Sequence, residues 1–65
     1  MTAKEIQELL ADAYHAIGHA YAYLGADRLV AASIDIANAR ASIKLAQDAI
    51  DKLLDNHQAT KPLNH

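Results

Sequence analysis

The chain has 65 residues, with six basic and eight acidic side chains and a formal net charge of −2 at pH 7. This length allows one small domain, which buries only about 60% of its unfolded surface and needs further support. The absence of cysteine excludes disulfides and thiolate metal sites. No stretch predicts a membrane span of ~20 apolar residues or a signal peptide, so we expect a cytoplasmic protein that is stabilised by oligomerisation.

The first helix is predicted over about residues 3–24. Thr2 and Glu5 have the spacing of a capping box, in which each side chain accepts a hydrogen bond from the other residue's backbone N–H. Apolar residues then recur every seven positions, with Ala3, Leu10, Ile17 and Leu24 at heptad position a, and Ile6, Ala13 and Ala20 at d. Residues 25–27 are predicted to form a turn, with Gly25 at C′ and Asp27 as the next N-cap.

The second helix is predicted over about residues 28–57. Its heptad seam has Leu29, Ile36, Ile43 and Ile50 at a, and Ala32, Ala39, Ala46 and Leu53 at d. One continuous helix is the weaker alternative, because the first seam decays into Asp48 and Lys52 and the second restarts out of phase. Residues 58–65 contain Pro62 and are expected to be a flexible tail. The sequence therefore predicts an all-α fold, an antiparallel helical hairpin with an Ala/Ile seam over residues 1–57.

One hairpin does not bury all the apolar surface of the second helix. A second stripe lies about 160° from the first seam on a helical wheel, and its members are Val30, Ile34, Ala37, Ala41 and Leu45. The second helix is also the longer, ~45 Å against ~33 Å, which is expected to leave Leu53, Leu54 and His57 overhanging. We therefore expect a homo-oligomeric four-helix bundle, with a homodimer as the first expectation.

Between residues 13 and 34 the only formally charged residues are Asp27 and Arg28, which suggests a covered surface. Tyrosine is favoured at interfaces, and the Gly18-x-x-x-Ala22 spacing lets another backbone approach. The candidate partner-binding or oligomer interface therefore consists of Tyr14, Gly18, Tyr21, Ala22, Tyr23, Val30, Ile34, Leu45, Leu53 and Leu54. Whether the tyrosine face meets a second copy or a foreign protein stays open at this stage.

Glu8, Asp12, His15 and His19 share one face of the first helix, and two histidines four residues apart are able to share a divalent ion. The second helix is expected to supply no inward Glu or His to complete a site, so a solvated polar face is the preferred interpretation and Asp12, His15 and His19 are the metal alternative. The polar residues in the middle of the second helix are expected to set the register of helix packing rather than to catalyse a reaction; they are Asp35, Asn38, Arg40 and Ser42.

These patterns predict no catalytic residues and no cofactor. The expected function is a small non-enzymatic protein–protein interaction module: an adaptor, scaffold or inhibitor of another protein. A divalent-metal-binding bundle using His15 and His19 is the alternative. A dimer of short hairpins is also similar in form to the plasmid Rop-type RNA binders, which makes RNA binding a second alternative. Charge argues against nucleic acid as a partner, because the basic residues form no stripe among the eight acids; they include Lys4, Arg28, Arg40, Lys44 and Lys52.

Overall fold

A computed structural model of the chain describes residues 1–59, and side chains through residue 56. Two α-helices, α1 over Ala3–Gly25 and α2 over Leu29–Ala59, pack against each other as an antiparallel pair. The described residues contain no strand, so the predicted helical hairpin is confirmed. The helix ends lie within two residues of those predicted, and the expected flexible tail lies, from residue 60 onward, outside the described range. Neither helix has an apolar stretch long enough to cross a bilayer.

The N-terminus of α1 has the predicted capping box. The Thr2 backbone N–H donates to Glu5 Oε1 at 2.7 Å, and the Glu5 backbone N–H donates to Thr2 Oγ1 at 3.2 Å. Two backbone donors of the first turn, which have no partner inside the helix, are thereby satisfied. The capping box fixes where α1 begins.

The turn between the helices differs from the prediction. The Arg28 N–H donates to the Tyr23 carbonyl at 2.8 Å, and the Asp27 N–H donates to the Leu24 carbonyl at 3.1 Å. This pair of bonds is a Schellman motif, whose left-handed C′ residue is Asp27 with φ 59°. Gly25 is instead the last residue of α1, and Asp27 is not the N-cap of α2, which begins two residues later. Aspartate tolerates the left-handed region better than most residues, which explains how it occupies a position usually held by glycine.

The seam between α1 and α2 consists mainly of alanine. Its buried residues are each at most 9% exposed, and they are Ile6, Ala13, Ala20, Ala32, Ala39, Ala46 and Ala49. A half-buried row flanks them on one side, formed by Leu9, Ala16 and Tyr23 on α1 and by Ala31, Asp35, Ser42 and Leu53 on α2. Since an alanine methyl adds only about 0.8 kcal/mol of burial free energy, this seam supplies little hydrophobic stabilisation.

The predicted a positions do not fill this seam. Instead, Leu10, Ile17, Leu24, Leu29, Ile36, Ile43 and Ile50 lie at its edge and are 36–65% exposed. Alanines at successive heptads bring the two backbones close together, so the larger branched side chains are displaced outward. The predicted Ala/Ile seam is therefore an alanine seam with an aliphatic border.

The longer α2 extends past the start of α1, but its leucines differ in exposure. Leu53 packs against the cluster of Ile6, Ala46 and Ala49, together with Leu9. The prediction that Leu53 overhangs the end of α1 is wrong, since it is half-buried against this cluster. Leu54 is exposed, as the overhang predicts, and the side chain of His57 lies outside the described residues.

Candidate functional site

The aliphatic border of the seam forms an extended apolar surface of the hairpin, which we call the Leu/Ile face. It consists of Leu10, Ile17, Leu24, Leu29, Ile36, Ile43 and Ile50. None of these residues is charged, and all are at least one-third exposed. Exposed apolar patches of this extent are typical of interaction surfaces.

Helix geometry places both rows of the Leu/Ile face on one side of the hairpin. Leu10, Ile17 and Leu24 each follow a buried α1 residue by four positions, and Ile36, Ile43 and Ile50 follow buried α2 alanines by four. Four residues correspond to a rotation of about 40° in the same sense on each helix. Because the helices are antiparallel, equal rotations of the same sense carry both rows toward the same side.

The Leu/Ile face is large relative to the molecule. From Leu29 to Ile50 it is about 32 Å long, and two adjacent helices make it about 20 Å wide, which gives roughly 640 Å² in projection. This exceeds the apolar patches of about 300–600 Å² that are the largest on typical monomers. It also approaches the about 800 Å² that each partner contributes to a standard protein–protein interface.

The predicted tyrosine group divides between surface and seam. Tyr14 and Tyr21 are among the most exposed side chains of the hairpin, on the outer edge of α1. Tyr23 is half-buried at the seam, where the Arg28 guanidinium carbon lies 5.2 Å from the centre of its ring. Gly18 and Ala22 are exposed, and a Cβ added at Gly18 meets no atom within 4 Å. Within this hairpin, no backbone uses the close approach that Gly18 allows.

The predicted second stripe of α2 forms a separate surface. Val30, Ile34 and Leu45 are all more than half exposed. Ile34 lies about 160° around α2 from Ile36, on the side away from the Leu/Ile face. Near the turn this stripe borders a shallow depression lined by Asp27, Arg28, Leu29, Val30, Ala31 and Ile34. The candidate residues taken from the sequence therefore belong to more than one surface.

The polar face of α1 meets α2 at one point. His19 Nδ1 lies 4.0 Å from Asp35 Oδ2, so α2 brings an aspartate to the histidine face, whereas the prediction concerned only Glu and His. The ring of His15 instead stacks edge-on with that of Tyr14, at 6.2 Å between centroids. Among the described residues, no three His, Cys, Asp or Glu side chains come together as a metal site would require.

The four polar residues predicted to set register do not share one environment. Asp35 and Ser42 are half-buried on the seam, whereas Asn38 and Arg40 are exposed. None of the four is fully buried. Only Asp35 and Ser42 are therefore placed to influence how α1 and α2 align.

Sequence reasoning missed the Leu/Ile face, because it placed every a and d residue inside the hairpin. A usable signal was present in the size difference, since five of the seven d positions are alanine and all a positions but Ala3 are leucine or isoleucine. Comparison of the chain with protein-family models, with curated proteins and with solved structures gives no match.

Proposed function

We propose that the chain is a small non-enzymatic protein–protein interaction module that acts as a homodimeric four-helix bundle. The observation that carries this proposal is the uncharged Leu/Ile face on a hairpin whose own core is almost entirely alanine. A chain of this size without disulfides needs an additional source of apolar burial. A second copy supplies it, since two-fold dimers are the commonest protein assemblies.

The second surface supports the interaction role. In a dimer closed through the Leu/Ile face, Val30, Ile34 and Leu45 stay exposed on the far side of α2. Exposed apolar stripes that the assembly does not cover are sites for another protein. The dimer is thus proposed as an adaptor, scaffold or inhibitor, with one face for itself and one for a partner. The proposed compartment is the cytoplasm, since small secreted domains usually depend on disulfides and this chain has no cysteine.

Two isoleucines on opposite sides of α2 provide a matched test. Ile36 is 43% exposed on the Leu/Ile face, and Ile34 is 56% exposed on the second stripe. Ile36→Lys buries a charge at the proposed dimer interface and is expected to abolish the dimer. Ile34→Lys adds the same charge outside that interface and is expected to leave the dimer intact. Sedimentation of both variants and of the wild type measures this directly.

A wild-type chain that sediments as a folded monomer would contradict the proposal. So would an Ile36→Lys variant that remains a dimer. The partner role is tested separately by affinity capture from lysate of the native host, with wild type and Ile34→Lys as baits. A protein captured by the wild type and lost with the dimeric Ile34→Lys variant would support a partner surface on the second stripe.

A further inference from the structure

We infer that the two hairpins pair face to face with their turns at the same end, so that Arg40 of each copy lies beside Tyr14 of the other. This inference rests on the proposed function, because it specifies the dimer that the Leu/Ile face forms. It is carried by the polar and aromatic residues that border that face on its two outer edges.

The two edges follow the same heptad spacing as the face itself. On α1, Tyr14 and Tyr21 lie four positions after members of the aliphatic row, and Gln7 continues their heptad spacing toward the start of the helix. On α2 the residues four positions after the row are Ser33, Arg40 and Gln47. All six are exposed. When two Leu/Ile faces meet, these edges are the first side chains outside the apolar contact, and they decide between arrangements of similar apolar burial.

A face-to-face dimer with two-fold symmetry has two possible arrangements. If the two-fold axis runs along the helices, both turns lie at the same end and α1 of each copy packs on α2 of the other. If the axis runs across the helices, the turns lie at opposite ends, α1 packs on α1, and α2 packs on α2. The residues along the two edges of the Leu/Ile face therefore meet different residues of the second copy in the two arrangements.

The opposite-end arrangement places like charges together. The centre of the face on α2 falls between Ile36 and Ile43, so Arg40 lies next to the axis and faces Arg40 of the second copy. No carboxylate lies three or four residues from Arg40 on α2, and no ion pair of Arg40 is found among the described residues. Two guanidinium groups would therefore meet without a neutralising partner, and this repulsion disfavours the arrangement.

The same-end arrangement gives complementary pairs. Ile6 shares a cluster with Ala46, which puts Ala13 level with Ala39 along the hairpin. Tyr14 then lies within one helical turn of Arg40 of the second copy, and Tyr21 stands in the same relation to Ser33. An arginine over a tyrosine ring is a favourable contact, and this chain already makes one between Arg28 and Tyr23 at 5.2 Å. By symmetry, each pair occurs twice.

The absence of cysteine makes a distance measurement straightforward. We would introduce Ala26→Cys in the exposed turn, attach a nitroxide, and measure the label-to-label distance in the dimer by pulsed electron paramagnetic resonance. The same-end arrangement predicts a distance of about 25 Å or less, set by the width of a four-helix bundle. The opposite-end arrangement predicts about 35 Å or more, set by the length of the face.

A second variant tests the edge contact itself. Arg40→Gln removes the guanidinium from Tyr14 and is expected to raise the dimer dissociation constant severalfold. In the opposite-end arrangement the same change relieves repulsion and tightens the dimer. A dimer that is unchanged or tighter, or labels about 35 Å apart, would overturn this inference while leaving the proposed function in place. A wild-type chain that sediments as a monomer would overturn both.

Discussion

His19 on α1 and Asp35 on α2 form the one histidine–carboxylate pair that crosses the seam in the described part of the chain, with Nδ1 and Oδ2 4.0 Å apart, and the pair is ionic only when His19 is protonated. The two side chains differ in exposure, 68% for His19 and 19% for Asp35. A half-buried carboxylate therefore stands in an alanine seam, with a mostly solvated histidine as its partner. Such a pair contributes little to stability, and we predict that it helps to fix the alignment of α1 and α2.

We predict that Asp35→Ala is neutral or stabilises the hairpin by up to about 1 kcal/mol, because a methyl group continues the alanine seam without a desolvated charge. Without Asp35 we expect α1 and α2 to sample more than one alignment, which would be visible as additional or broadened amide signals in an NMR spectrum. Ser42→Ala, at the other half-buried polar position of the seam, is the matched control and should keep a single set of signals. A clear loss of stability in Asp35→Ala would show that the ion pair makes a net contribution.

Heptad periodicity and helix-capping residues were enough to predict the two helices. Apolar spacing defined α1 and α2, and Thr2 with Glu5 marked the start of α1, because these signals depend only on neighbours along the chain. The environment of Ile43 was not predictable in this way. A heptad places it next to Ala39, but Ala39 is 2% exposed and Ile43 is 43% exposed. The spacing that alanine allows between two helices decides which of these two side chains is buried.

The turn was mispredicted for a related reason. Gly25 has the best intrinsic preference for a left-handed C′ position, yet Asp27 takes it. A single-residue preference of about 1 kcal/mol is too small to fix the last residue of a helix by itself. The site itself was only partly predictable, since the sequence shows which residues are apolar but not which of them one hairpin leaves exposed.

We predict that Ala39→Leu destabilises the hairpin by about 1–3 kcal/mol, because three additional carbons do not fit at a buried, close-approach position. Ala37→Leu, on the exposed surface of the same helix, is the matched control and should change stability by less than about 0.5 kcal/mol. Chemical denaturation of both variants measures the difference. If both variants change the stability equally, the seam has enough space at Ala39 for a larger side chain.

We predict that Asp27→Gly stabilises the chain by about 0.5–1 kcal/mol, because glycine adopts a φ of 59° without the steric cost of a Cβ. In a domain of this size, that change raises the melting temperature by a few degrees. Ala26→Gly is the control, since Ala26 has a φ of −103° and gains nothing from glycine. A destabilised Asp27→Gly variant would show that the aspartate side chain makes a contact that outweighs its backbone strain.

Acid is expected to weaken the start of α1. The hydrogen bond from the Thr2 backbone N–H, together with that of the Thr2 hydroxyl, lowers the pKa of Glu5 below its ordinary value of 4.5. Because the folded-state pKa is lowered, the stabilisation is present above the unfolded pKa and is lost as the pH falls through the folded one. Glu5→Gln keeps a hydrogen-bond acceptor but removes the titrating group. Between about pH 5 and about pH 2, the range in which carboxylates titrate, the helicity of this variant should therefore fall less than that of the wild type, as measured by circular dichroism.

The matched control is Glu8→Gln on the same helix. The Glu8 carboxylate makes no side-chain hydrogen bond among the described residues. Its acid profile should follow the wild type. If Glu5→Gln and Glu8→Gln change the profile equally, the capping box is not the source of the pH dependence at the start of α1.

The last prediction separates two tyrosines that differ in burial. Tyr21 is 83% exposed on the edge of α1, while Tyr23 is half-buried beside Arg28. Tyr23→Ala is expected to lower the melting temperature at every protein concentration, because it removes packing within the hairpin. Tyr21→Ala is expected to leave the hairpin helical but to weaken the dimer, so that its melting temperature depends more steeply on concentration. If Tyr21→Ala instead leaves the dimer unchanged while a captured partner is lost, the tyrosine edge belongs to that partner's interface; if neither property changes, Tyr21 is an ordinary surface residue.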